Sequence, residues 1–394
     1  LNAIADTNLR NQRPATIYFR NIELCGRRPF NPEQASQSFA SQRPLSELCS
    51  MTMACNTSAS PNRQWAAEDI LTLGRSYQGA AVLAAAADLD LFQHLSSAPK
   101  QAAELAKVLD CDLRGLTVLL DALVALGLLQ ESNDAYALAS GLEVFLTASG
   151  SQSVLAMAQH QANCLRNWAQ LAIVVKTGRP AQRISSVRGD AADQAAFIGA
   201  MHNISAPHAR EVIQAVQPLE FKHLLDIGGA SGTWTMAFLR ACPAATATLF
   251  DLPQVIPIAR QRLTQEGLIG RVRLAAGDFT SDPLPAGADL VWVSAIVHQN
   301  SRTQNRLLFA KVFAALVPGG RIAIRDVLMN ESHTRPLAGA LFAVNMLVAT
   351  EGGGTFTFGE LREDLESAGF VDAAVLREDE AMNSVVAARK AGAS

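Results

Sequence analysis

Three aspartates occupy matching places in the C-terminal half of the chain, each beside a short apolar run. Asp226 opens Asp226-Ile227-Gly228-Gly229-Ala230-Ser231-Gly232, Asp251 sits in Phe250-Asp251-Leu252-Pro253, and Asp278 in Gly277-Asp278-Phe279. A glycine-rich turn between a strand and a helix serves two ligand classes. A dinucleotide needs the glycines so that its pyrophosphate can reach the helix N-terminus. S-adenosylmethionine needs them so that an adenosyl amino acid can lie against the backbone. The glycines, and an acid ending the second strand, are common to both. The carboxylates separate them. At the mouth of the loop Asp226 would repel a pyrophosphate, but it suits an ammonium and a sulfonium. Asp251 is expected to accept from both ribose hydroxyls. Asp278 is expected to accept from the adenine amino group, with Phe279 packed on the ring. Any one of these acids alone reads equally well as a cap on a helix or turn. Three at consecutive strand ends suit a cationic nucleoside. His298, in Val297-His298-Gln299-Asn300, follows a later apolar run. An imidazole, with an ordinary pKa of ~6.5, takes a proton near neutrality. By itself, a lone histidine in such a loop more often has a surface or capping role.

Alternating strands and helices must position these groups. Apolar runs at 224–227, 247–251, 272–275, 290–293 and 322–326 are separated by helical stretches at 233–242, 255–266 and 302–316. That alternation predicts an α/β, Rossmann-like domain over 219–394, doubly wound on a mostly parallel sheet. Two last runs, 371–376 and 383–388, are close enough to pair as a C-terminal antiparallel hairpin. Residues 151–218 read as a helical connector. Its first long helix, 156–175, ends at Thr177-Gly178-Arg179-Pro180, and its second, 191–216, is interrupted near Ser205-Ala206-Pro207.

Residues 61–150 are Ala- and Leu-rich. Helices at 101–110 and 113–126 are followed by Gly127 and a short hairpin around Ser132-Asn133-Asp134, a winged-helix pattern. The second helix carries only Arg114 as a cation, which disfavours a DNA-recognition role and favours packing or dimerisation. Residues 1–60 hold six Arg, no Lys and little periodic apolar content. They are expected to be a disordered or artefactual extension, translation starting at Met51 or Met53, or else a targeting segment.

Composition narrows the classes. The 394 residues include 33 Lys+Arg against 36 Asp+Glu, which gives no global case for nucleic acid or anionic membrane. Hydrophobic residues at 49% exclude a mostly disordered chain. The six cysteines lack paired metal spacing, so no metal site is expected and free thiols in a reducing, cytoplasmic compartment are. Gly79–Ala87 and Leu337–Ala349 are too short to span a membrane.

In order and spacing, Leu225–Gly232, Asp251-Leu252-Pro253, Gly277–Phe279 and the Pro318–Gly320 turn resemble the class I S-adenosylmethionine-dependent methyltransferases. The resemblance is to the small-molecule O-methyltransferases with an N-terminal winged-helix dimerisation domain, among them the hydroxyindole and caffeate O-methyltransferases. It covers about residues 65 to 390. It implies a homodimer and S-adenosyl-L-methionine as cofactor. The implied cofactor contacts are Asp226, Gly228, Gly229, Gly232, Asp251, Leu252, Gly277, Asp278, Phe279 and Ser294. His298 matches the family's catalytic histidine, and Asp326 stands where many members carry a glutamate that orients it. Met201 matches a methionine near cofactor and acceptor. Phe342, Asn345 and Met346 fall on a helix that lines the acceptor site in the family. The implied reaction moves a methyl group to a hydroxyl of a small apolar or aromatic molecule. The chain departs from the family at Gln299-Asn300, where Asp-Trp is usual. It also lacks an acid after Gly352-Gly353-Gly354, a loop expected to be mobile, with Glu351 as the substitute. N-, S- or C-methylation, a non-methylating reaction, a ligand-sensing DNA-binding regulator and a nicotinamide oxidoreductase are the alternatives.

Overall fold

A computed structural model of the chain describes residues 64–217 and 220–392. The expectations for residues 1–60 lie outside them. The described residues belong to one compact unit, Thr57–Ser394.

The N-terminal part contains α1 (Tyr77–Asp88), α2 (Ala102–Val108) and α3 (Leu113–Ala125), then a hairpin of β1 (Leu129–Ser132) and β2 (Ala135–Leu138). The Asp112 carboxylate accepts from Gly115 N at 2.7 Å and starts α3, while Gly127, at φ +72°, stops it. Asn133 and Asp134 both have positive φ, as a tight two-residue hairpin requires. Lys100–Gln101 adds a third strand beside β2, completing the wing. Leu116, Leu120 and Leu123 bury one face of α3. Leu113, Val118 and Leu126 leave apolar surface exposed on and beside its other face.

The connector differs from expectation at two places. The first helix is two, α4 (Leu155–Trp168) and α5 (Leu171–Thr177). The chain turns at Gln170, whose side chain donates to Gln182 O and accepts from Gln182 N, both at 2.9 Å. The second, α6 (Asp190–Ala215), runs unbroken through Pro207. An interior proline costs ~3 kcal/mol. Burial of Ser205, Ala209, Val212 and Ile213 along the same stretch offsets it, at ~1.5–3 kcal/mol for a fully buried large aliphatic side chain.

The strands of the large sheet are β3 (His223–Ile227), β4 (Thr246–Asp251), β5 (Val272–Ala276), β6 (Ala288–Ser294), β7 (Leu316–Asp326), β8 (Phe370–Arg377) and β9 (Ser384–Lys390). Their spatial order is β8-β9-β7-β6-β3-β4-β5, parallel except for β9, which runs antiparallel to both neighbours. Order reverses between β3 and β6, so the strand ends there open a crevice. The helices α7 (Thr233–Ala241), α8 (Ile256–Gln265), α9 (Arg302–Ala315), α10 (Leu337–Ala349) and α11 (Phe358–Ser367) complete this part. Strand period two divides the core. Leu225 and Ile227 face a cluster with α9 and α11, and Leu224 faces one with α6, α7 and α8.

Candidate active site

The same alternation decides where Asp226 goes. Two residues beyond Leu224, it lies on the α7 side and is almost fully buried. Its Oδ2 accepts from Thr235 N at 3.1 Å and Thr235 Oγ1 at 2.5 Å. Thr235 is the third residue of α7, whose N-cap is Gly232. Glycine has no side chain to cap with, so Asp226 caps the helix from the strand. The expectation placed it at the mouth of the loop; the structure places it beneath α7. Burial pushes its pKa up to about 7, aided by nearby Asp251 and opposed by the Thr235 bonds.

Asp251 is half-buried at the end of β4. Oδ2 accepts from Ala230 N and Oδ1 from Leu252 N, each at 2.7 Å. The first bond ties the glycine loop to the next strand. Each carboxylate oxygen retains a lone pair for a ligand. Burial raises its pKa against those two bonds. Asp278 closes a turn, its Oδ1 accepting from Thr280 N at 2.8 Å and Thr280 Oγ1 at 2.7 Å, which lower its pKa. Phe279 packs half-buried on the core. Leu252 is exposed. Ser294 Oγ accepts from Arg325 at 3.1 Å.

The glycines are required by the protein itself. Gly228 has φ +64°, and a Cβ there would lie 2.6 Å from Ile296 Cδ1. A Cβ on Gly229 would lie 2.6 Å from Leu249 Cγ, and one on Gly277 equally close to Phe250 Cζ. Gly232 also has positive φ.

His298 is buried in a short turn after β6. Its Nδ1 lies 2.8 and 2.9 Å from the two oxygens of buried Asp326. Asp326 shares the face of Ile322 and Ile324, toward α9 and α11, while Arg325 takes the other face. Arg325 donates to Ser294 and Asn383 and stacks on Trp234 at 4.6 Å. Burial lowers its pKa to about 10 against the pull of Asp326 and Asp379. His298 Nε2 has no hydrogen-bond partner among the described residues. The Phe342 ring meets the His298 ring edge-on, with centroids 4.8 Å apart.

Gln299 donates to Ala295 O, while buried Asn300 donates to Asn305, which donates to Val297 O. These residues brace the turn that carries His298. The glycine loop expected to be mobile is docked on it. Gly354 N donates to His298 O at 2.9 Å, and a Cβ on Gly353 would collide with that carbonyl. Glu351 is exposed, and Asp326 is the carboxylate bonded to His298.

The chain matches the O-methyltransferase domain over residues 168–371 and the O-methyltransferase dimerisation domain over 75–161. It belongs to the S-adenosylmethionine-dependent O-methyltransferase family. It is similar to the tetracenomycin polyketide synthesis 8-O-methyl transferase of Streptomyces glaucescens, 32% identical over 312 residues that cover 77% of this chain and 91% of that one. An N,N-dimethyltransferase of Streptomyces rimosus is 29% identical over 77% and 90% of the two chains. The crystal structure of human N-acetylserotonin methyltransferase with S-adenosylmethionine superposes with a TM-score of 0.70 at 26% identity, covering 84% and 99%.

For a methyltransferase of this family, the remaining expected residues lie on α6 and α10. Met201 and Phe342 are half-buried, and Met346 is buried. Asn345 Oδ1 accepts from Trp168 Nε1 at 2.8 Å. Sequence reasoning missed Trp168, although it continues the i+4 stripe of His160 and Cys164 along α4. It also missed a group behind the glycine loop. Arg262 donates to Ser231 Oγ at 2.9 Å and reaches His202 Nε2 at 2.8 Å, while His202 Nδ1 meets Thr233 Oγ1 at 3.0 Å. Burial and Arg262 depress the His202 pKa to about 4, so it stays neutral. Among the described residues no cluster could hold a metal ion, and no helix is long and apolar enough to cross a membrane.

Proposed function

We propose that this enzyme moves a methyl group from S-adenosylmethionine to a phenolic hydroxyl of a small aromatic molecule, with His298 as general base. The Asp251 carboxylate fits the cofactor's ribose diol, because one lone pair on each oxygen is unspent. Asp278 Oδ2 is left for an adenine amino group, and Asp226 acts from beneath by fixing α7 and its loop. When bound, the cofactor supplies a methyl group on positively charged sulfur.

The His298–Asp326 pair carries the reading. Asp326 holds Nδ1, so Nε2 is the nitrogen left to meet an acceptor hydroxyl. A neutral hydroxyl is a poor nucleophile. As the acceptor oxygen bonds to the methyl carbon and the carbon–sulfur bond breaks, the hydroxyl proton passes to Nε2. Asp326 then faces a cation, and the pair becomes charge-assisted. A base of this kind contributes ~10²–10⁴ in rate, and in-line positioning accounts for much of the rest, ~7–11 kcal/mol. The similar 8-O-methyl transferase supports an oxygen acceptor. The similar N,N-dimethyltransferase keeps nitrogen transfer as the second reading. A neutral amine attacks before it loses a proton, so it has less use for a buried base.

The matched dimerisation domain and the exposed Leu113, Val118 and Leu126 support a homodimer through the N-terminal part. The test of function is incubation with S-adenosylmethionine and a panel of phenols and anilines, read by mass spectrometry. The expected product is an aryl methyl ether formed in step with S-adenosylhomocysteine. Methylated anilines with no ether would overturn the oxygen assignment.

A further inference from the structure

Within the glycine loop, Gly232 N donates to Gly229 O at 2.8 Å and closes a turn with Ala230 and Ser231 at its centre. Ala230 has φ +47°, in the left-handed region. The Cβ of an L-residue disfavours that conformation by about tenfold, whereas glycine adopts it freely. A turn with positive φ at its first central residue therefore favours glycine there. Alanine keeps such a conformation only where its surroundings hold it. Two sets of bonds do so. Ala230 N donates to Asp251 Oδ2 at 2.7 Å. At the next residue, the buried Ser231 Oγ accepts from Arg262 Nη1 at 2.9 Å. Arg262 Nη2 also meets His202 Nε2 at 2.8 Å. An arginine can only donate, so Nε2 is the acceptor and the His202 proton sits on Nδ1. From there it is donated to Thr233 Oγ1 at 3.0 Å. Ser231 and Thr233, which flank Gly232, are thus tied to Arg262 on α8 and to His202 on α6.

We propose that Arg262 and His202 are positioning residues that clamp the loop in its cofactor-receptive shape and so do the work of a glycine at position 230. This rests on the reading that the loop carries the cofactor. Neither side chain takes part in methyl transfer; both act on the backbone through Ser231 and Thr233. Without the clamp, Ala230 relaxes toward negative φ and turns the peptides on either side of it. Cofactor binding must then restore the disfavoured conformation, and affinity falls by the fraction of loops still competent to bind. Glycine at 230 removes the conformational penalty, so the clamp becomes dispensable.

The experiment is calorimetric titration of the full chain with S-adenosylhomocysteine, in the wild-type and Ala230→Gly backgrounds. Arg262→Met is expected to weaken binding about tenfold in the first and by less than about threefold in the second. His202→Phe should follow the same pattern with a smaller loss. In turnover, the loss falls on the KM for S-adenosylmethionine more than on kcat. Equal losses in the two backgrounds would overturn the proposal, and so would binding by Arg262→Met as tight as that of wild type. Melting temperatures of the same samples report on folding. Should Arg262→Met be too unstable to titrate, His202→Phe carries the test in the same two backgrounds. Asp251→Ala, measured alongside, separates this proposal from the reading beneath it. If Asp251→Ala binds like wild type, the loop is not the cofactor site and both fall. If Asp251→Ala weakens binding and the clamp variants do not, only the clamp falls.

Discussion

The proposed cofactor edge and the proposed acceptor side are built in opposite ways. At the cofactor edge, each chemical group lies within a few residues of a strand end, and the sheet register sets their order. On the acceptor side, His298 comes from a loop, Phe342 and Asn345 from α10, and Trp168 from α4, 177 residues from its partner Asn345. The first arrangement is local and repeated, so the same edge serves any acceptor. The second is assembled by helix packing, so on the proposed assignment changes there are expected to alter what is methylated without disturbing what supplies the methyl.

Substitutions on each side can break or sharpen that division. The largest effect is expected for His298→Ala, a fall in kcat of ~10²–10⁴ with cofactor affinity retained. Asp251→Ala should do the converse, weakening S-adenosylhomocysteine by about 10² in calorimetry, since two charged hydrogen bonds go. Asp326→Asn keeps an acceptor for Nδ1 but removes the charge that stabilises the imidazolium, and a loss in kcat of about tenfold or more is expected. If either of the acceptor-side changes weakened cofactor binding as much as Asp251→Ala, the division would fail.

Asp226→Asn gives the smallest and most discriminating effect. Because Asp226 caps α7 through Thr235, cofactor affinity should change by less than about threefold, within the range of one modest hydrogen bond. Its signature is in stability. The folded pKa of about 7 lies above the ordinary aspartate value of ~3.9. The stability it contributes is full below ~3.9 and is lost as pH rises through about 7. The melting temperature of Asp226→Asn relative to wild type should therefore climb between pH 4 and 8. A flat difference, or a cofactor defect as large as that of Asp251→Ala, would return Asp226 to the ligand.

These contrasts follow what was legible in the sequence. Caps and turns are local, so the ends of α3, the hairpin and the strand-helix alternation could be read from neighbouring residues. The burial of Asp226 beneath α7 was also legible through strand parity with Leu224, but proximity to the glycines suggested a place at the mouth of the loop. Composition suggested a mobile loop at Gly352–Gly354, whereas Gly353 packs against the His298 carbonyl and Gly354 N donates to it. The break at Gln170 and the continuity through Pro207 depend on partners distant in sequence, Gln182 in one case and packed neighbours in the other. Trp168 carries no motif, and its meaning comes only from the amide it meets.

The central claim is that His298 removes the acceptor's proton, and the dependence of the His298→Ala defect on acceptor acidity tests it most directly. Rates of wild type and variant would be compared across phenols of increasing acidity at one pH. The account predicts a deficit of ~10²–10⁴ for an ordinary phenol, shrinking toward none for a phenol already ionised at that pH. A deficit of equal size for every phenol would contradict it and leave His298 a purely structural part of the turn.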